Sequence, residues 1–148
     1  MPIDLILIAC ASLMAGFVDA IIGGGGLILL PALFSVFPSA PPATVFGTNK
    51  GGATWGTALA AFQYAKQVHL PWHALGPAVI AALVGSFSGA WAGHVWWTVA
   101  AVLAVANMTG SLLGTRLALK HGSGLIRRFF IAVVTLLILK TGYDAYLM

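Results

Sequence analysis

Acidic side chains are nearly missing from this sequence: three Asp and no Glu stand against seven Lys and Arg among 148 residues. Charged residues make up 7% of the chain and hydrophobic ones 60%, whereas a soluble domain carries about 25% charged residues. A water-facing surface cannot be assembled from that supply, which excludes a soluble globular fold. Cysteine is reduced to Cys10 inside an apolar run, so neither an intrachain disulfide nor a cysteine-based metal site is available. The four histidines, His69, His73, His94 and His121, lie near the ends of apolar stretches, without a neighbouring carboxylate. No metal site is expected from them. No nucleophile has a base within sequence reach, so catalytic residues and a cofactor are not expected either. The formal charge of +4 comes from cations at segment ends, where membrane topology accounts for them better than nucleic acid does. The partner this composition asks for is a lipid bilayer.

What the chain has is apolar length. At roughly 20 apolar residues per helical crossing, it offers about five crossings and no room for an extramembrane domain. The expected fold is all-α, a single multi-span transmembrane domain with a glycine-broken or re-entrant first helix. The expected spans cover 3–22 with a short segment 27–37, then 43–65, 72–92, 95–119 and 125–146. Because Asp4 is the only early charge and hydrophobicity resumes after every break, the N-terminal stretch reads as a retained span, not a signal peptide. Arg116, Lys120, Arg127 and Arg128 surround the break at His121-Gly122-Ser123-Gly124. The positive-inside rule assigns that loop and Lys66 to the cytoplasm, and the Gly93-His94 turn and the C-terminus to the outside.

The first interruption is Gly23-Gly24-Gly25-Gly26. Each glycine costs about 1 kcal/mol relative to Ala inside a helix, and the continuation to Phe37 is too short to cross alone. A half-helix starting there presents unpaired N–H groups and a positive dipole end, which attract an anion; a tight bend between packed helices is the competing reading. Asp19, four residues earlier, is the only acidic residue inside the apolar stretches away from their ends, and an ionisable group at that depth normally lines a cavity, pairs or is protonated. A helix-end cap near water is its plainer role. Lys50 is its expected partner, with snorkelling to the interface as the alternative. Asn49 and Asn107 either line a pathway or bond across a helix interface. Gly47, Gly51, Gly52 and Gly56 suit close helix contact in lipid.

An internal similarity runs through the second half. His69, Trp72, Ala81, Gly85, Ser86 and Gly89 recur twenty-five residues later as His94, Trp97, Ala106, Gly110, Ser111 and Gly114. Duplication explains this economically; coincidence within a biased composition is the other account.

The string Gly16-Phe17-Val18-Asp19-Ala20-Ile21-Ile22 followed by four glycines and Leu27, with Pro31-Ala32-Leu33 and Gly47-Thr48-Asn49-Lys50 beyond it, resembles the TauE/SafE sulfite-exporter family of membrane transporters. The resemblance implies a multi-pass protein of the bacterial inner membrane, built from two similar halves, that moves small anions such as sulfite or organosulfonates. By position it implies substrate contacts at Asp19, Gly23, Gly24, Gly25, Gly26, Asn49 and Lys50. Family members are longer. This chain resembles their beginning up to about Gly93 and their end from about His94, so an internal junction is expected near 93–94, and nothing matches the second half's own broken-helix motif. Two functions follow: a transporter or exporter of small anions in which Asp19 and Lys50 tune charge or couple a proton, or else a non-transporting truncated remnant or a half-transporter that must form a homo-oligomer to supply the missing half.

Overall fold

The computed structural model describes residues 2–69, 72–91 and 93–147; residue 92, where one expected span ends, lies outside them. Five helical elements follow one another: α1 (Pro2–Ile22), α2 (Gly26–Val36), α3 (Pro42–Gln67), α4 (Trp72–Trp91) and α5 (Trp97–Leu147). The described residues form no strand. Within α5, Gly122 has φ 66° and ψ −163°, a conformation that side-chain-bearing residues rarely adopt, and it divides the element into limbs 97–122 and 123–147. The fold is therefore all-helical, with its first helix broken at the glycine run.

Two stretches, Ile3–Ile22 and Trp97–Gly122, are long and apolar enough among the described residues to cross a bilayer unaided. α3 is longer, 26 residues or about 39 Å, but it is diluted by glycine, threonine and Lys50. α2, with 11 residues, reaches about 16 Å and cannot cross alone. Pro42 opens α3 in its first turn, where its missing N–H would have had no helical partner anyway.

The order of contacts along the helices sets their directions. Ser12 meets Leu103, Gly16 meets Asn107 and Phe17 meets Gly114, so α1 and the first limb of α5 run parallel. Thr48 meets Trp96, Gly52 meets Leu103 and Gly56 meets Asn107, so α3 runs parallel to that limb as well. α4 joins the end of α3 to the start of α5 and so must run the other way. One end of the bundle gathers Lys66 and the Gly122 bend; the other gathers Pro41 and His94.

These parallel helices approach to backbone contact. A Cβ at Gly16 would collide with the Asn107 carbonyl, one at Gly110 with the Leu13 carbonyl, and one at Gly56 with the Asn107 side-chain oxygen. Polar side chains then tie the helices: Ser12 Oγ donates to the Leu103 carbonyl (2.8 Å), Ser111 Oγ to the Gly56 carbonyl (2.7 Å) and Asn107 Nδ2 to the Ser12 carbonyl (3.3 Å). Asn107 thus bonds across a helix interface and does not line an opening. Ile8, Ala15, Leu29, Leu33, Val45 and Leu103 form the apolar core where α1, α2, α3 and α5 meet.

α4 stands apart. Among the described residues it packs on α3 alone, and Val79, Ile80, Leu83 and Val84 are exposed. The two copies of the repeated signature therefore have different surroundings. Gly110 and Ser111 are buried against α1 and α3, whereas a Cβ at Gly85 would meet nothing within 4 Å and Ser86 bonds to Ala82 of its own helix. Replacing Gly110 by Leu should destabilise the fold by about 1–3 kcal/mol or more, the usual cost of overpacking, read as a lower unfolding temperature in detergent. Gly76→Ala, at a position with nothing within 4 Å, should leave that temperature unchanged or raise it.

Candidate functional site

The break after α1 is built from backbone conformation. The Gly23 N–H donates to the Asp19 carbonyl (2.9 Å), closing the last turn of the helix, and Gly23 (φ 77°) and Gly24 (φ 91°) then take the left-handed region that glycine enters without steric penalty. The chain swings back onto α1. A Cβ at Gly25 would lie 2.5 Å from the Ala15 carbonyl oxygen and 2.8 Å from Asp19 Cβ, so only glycine fits there.

Asp19 holds this turn. Its Oδ1 accepts the Gly25 N–H at 3.0 Å and its Oδ2 faces the Thr57 hydroxyl of α3 at 3.0 Å. Thr57 Oγ1 also lies 3.1 Å from the Ala53 carbonyl oxygen, so its single proton serves one acceptor at a time. One residue later, the Ala20 carbonyl accepts the Tyr64 hydroxyl at 2.7 Å. A single carboxylate thereby joins the end of α1, the start of α2 and the middle of α3.

The N–H groups of Leu27, Ile28 and Leu29 turn back to the carbonyls of Gly24 and Gly25. Gly23 and Gly25 spend theirs on Asp19. Those of Gly24 and Gly26 have no acceptor among the described residues. Asn49 Nδ2 lies 3.9 Å from where a Gly26 Cβ would stand, and Asn49 Oδ1 is buried without a partner. The turn, the positive end of the α2 dipole and an amide side chain thus converge.

The expected pairing of Asp19 with Lys50 is not formed; among the described residues no ion pair joins them, and Lys50 is exposed. The reason is register. Thr57, seven residues beyond Lys50 and on the same helical stripe, is the residue that reaches Asp19, while Lys50 lies about 10 Å back along α3. Sequence reasoning missed Thr57 and Tyr64. The available signal was the heptad spacing of Lys50, Thr57 and Tyr64, one stripe of hydrogen-bonding side chains on an otherwise small-residue helix.

The family model for the sulfite exporter TauE/SafE matches residues 8–94, a segment that holds the turn, Asn49 and Lys50. The chain belongs to the TauE/SafE family. It is 35% identical over 80 residues to "Probable membrane transporter protein ORF9" of Sinorhizobium sp, covering 54% of this chain and 30% of that protein. To a "Probable membrane transporter protein" of Haemophilus influenzae it is 44% identical over 66 residues, covering 44% of this chain and 25% of the relative. To "Probable membrane transporter protein YfcA" of Escherichia coli it is 37% identical over 91 residues, covering 60% and 32% respectively. The matched segments thus span no more than about a third of these relatives' length. No solved structure matches the chain. As a TauE/SafE member with an all-helical, strongly apolar fold, it is a membrane protein.

Removing the carboxylate in Asp19→Ala leaves the Gly25 N–H without its acceptor and should cost about 1–3 kcal/mol. Thr57→Val, which removes one neutral donor, should cost about 1 kcal/mol, and Lys50→Ala should cost almost nothing. Thermal unfolding in detergent, followed by circular dichroism, gives the order directly; equal losses for Asp19→Ala and Lys50→Ala would contradict the assignment of Asp19 as the fastening of the turn.

Proposed function

We propose that this TauE/SafE chain is a non-enzymatic transporter of small anions, of the sulfite or organosulfonate class, in the bacterial inner membrane. Its crossing helices are α1, α3, α4 and the two limbs of α5, with α2 as a re-entrant return. The observation that carries the proposal is the turn at Gly23 to Gly26. It presents two N–H groups, of Gly24 and Gly26, without acceptors among the described residues, with Asn49 beside Gly26, at the level of Thr57. Thr57 stands ten residues before the end of α3 at Gln67, about 15 Å inside it. A broken helix at that depth, with its half-helix N-terminus aimed at an anion, is a common way for secondary transporters to build a site.

The roles within it follow from charge. Gly24, Gly26 and Asn49 donate to the anion, and Lys50, free of ion pairs among the described residues, supplies attraction along the approach. Asp19 shapes the turn through Gly25 and opposes a second negative charge beside it. The two charged residues therefore act with opposite sign. In proteoliposomes, Lys50→Ala should weaken uptake of a labelled sulfonate about tenfold, equivalent to about 1.4 kcal/mol. Asp19→Asn, which keeps an acceptor oxygen for Gly25 but removes the charge, should bind the same sulfonate more tightly than wild type. Unchanged flux in Lys50→Ala would remove that lysine from the mechanism.

A second reading, a half-transporter completed by a second copy, is favoured by one observation. The pairs Gly52/Gly56 and Gly110/Gly114 are filled by neighbouring helices, whereas Gly85, the first glycine of the similarly spaced Gly85/Gly89 pair, faces open space on α4. Small residues four apart are the standard close-contact element of helices in lipid. On this reading the purified chain runs as a dimer in mild detergent, and Gly85→Leu makes it monomeric without lowering the stability of each copy. A wild-type chain that transports as a monomer would overturn it.

A further inference from the structure

The bend at Gly122 does more than end a helix. Gly114 lies against the Phe17 carbonyl, and the Phe129 ring stands 6.0 Å from the Phe17 ring at an interplanar angle of 68°. Fifteen residues of straight helix would carry position 129 about 22 Å past position 114. Both reach the same residue of α1, so the limbs fold side by side with Gly122 at the tip. Arg116 and Lys120 on one limb, and Arg127 and Arg128 on the other, all lie within six residues of that tip, and all four are exposed.

No ion pair involves these four residues among the described residues. Asp4 sits at the start of α1, at the other end of the bundle; Asp19 points away from Phe17, two residues or about 200° around α1, and is engaged by Gly25 and Thr57. Asp144 lies sixteen residues beyond Arg128, about 24 Å along the helix. Lys66, at the same end, already rests over the Phe62 ring at 4.2 Å. Four like charges therefore flank one tip without an ion-pair partner among the described residues, and the exposed apolar side chains of Leu113 and Phe130 stand three positions along the helix from Arg116 and Arg127.

We infer that the tip of the α5 hairpin is a binding site for the phosphate of an anionic phospholipid, whose acyl chains lie along Leu113 and Phe130. Charge alone would accept any phosphate. The adjoining apolar surface, continuous with the apolar limbs, selects a lipid, and it does so whatever the TauE/SafE site at the glycine turn carries. The basic residues draw the headgroup by its charge, and the two-limbed arrangement lets guanidinium groups from both sides reach one phosphate.

The test uses the full chain in a zwitterionic detergent, with phosphatidylglycerol and phosphatidylcholine as probes and native mass spectrometry as the readout. Wild type should retain phosphatidylglycerol and not phosphatidylcholine, and raised salt should strip it. The double variant Arg127→Gln, Arg128→Gln should bind it about thirtyfold more weakly, from roughly a fivefold loss per cation removed. Equal retention of the two lipids by wild type would overturn the proposal, and that comparison stands even if the variant does not fold. Displacement of phosphatidylglycerol by inorganic phosphate at matched concentration would overturn it too, by showing a free-anion site. Loss of sulfonate uptake with lipid retention intact would bear on the glycine turn alone.

Discussion

Backbone-to-backbone contact between parallel helices is the constraint on which this molecule rests. In lipid the apolar surface of a helix gains nothing by leaving its solvent, so association depends on close packing and on polar groups that find partners across the interface. Asn107 shows both. Its carbonyl lies where a Gly16 side chain would be, its amide oxygen lies where a Gly56 side chain would be, and its amide nitrogen bonds to Ser12. One residue of α5 thereby sets the spacing to α1 and α3 together. Of the two connecting helices, α2 packs Leu29 and Leu33 into the core, whereas α4, which among the described residues packs on α3 alone, is fixed mainly by the ends it must join.

The glycine turn depends on that spacing. Asp19 reaches Thr57 because α1 and α3 are held close, and it reaches Gly25 because two left-handed glycines return the chain onto α1. A carboxylate that satisfies a turn at depth also places a negative charge beside the donors a substrate would use. On the proposed function, Asn49 beside the turn and Lys50 further back along α3 supply the attraction that offsets this charge. Relatives of this TauE/SafE chain are named probable membrane transporter proteins, and the turn is where the proposed activity would find its donors.

Much of the helical order was legible in the residues. Four successive glycines announce a break, and Gly122 between two apolar runs announces another, because backbone conformation is a local property. Gly47, Gly52 and Gly56 could be read as contact positions for the same reason. Pairing was not legible. Lys50 and Thr57 share one stripe of α3, and only the tertiary register decides which of them stands opposite Asp19. The repeated signature makes the point again: Gly110 with Ser111 is buried and Gly85 with Ser86 is not, although the local sequences agree, since what fills a contact is set by the neighbour and not by the motif.

The link between α1 and α5 also governs how the protein can be made. The Ser12 hydroxyl bonds a carbonyl that lies 91 residues later in the chain. At about 5–20 residues per second, the first helix waits roughly 5–20 s after its own synthesis before its main partner emerges from the ribosome. Throughout that interval Ser12 and Gly16 lack their α5 partners, whereas Asp19 can meet Gly25 and Thr57, which follow it by 6 and 38 residues. Completion of the bundle is thus a late event of translation, and the first helix must be tolerated by the membrane with only α2 and α3 to pack on until the last third of the chain arrives.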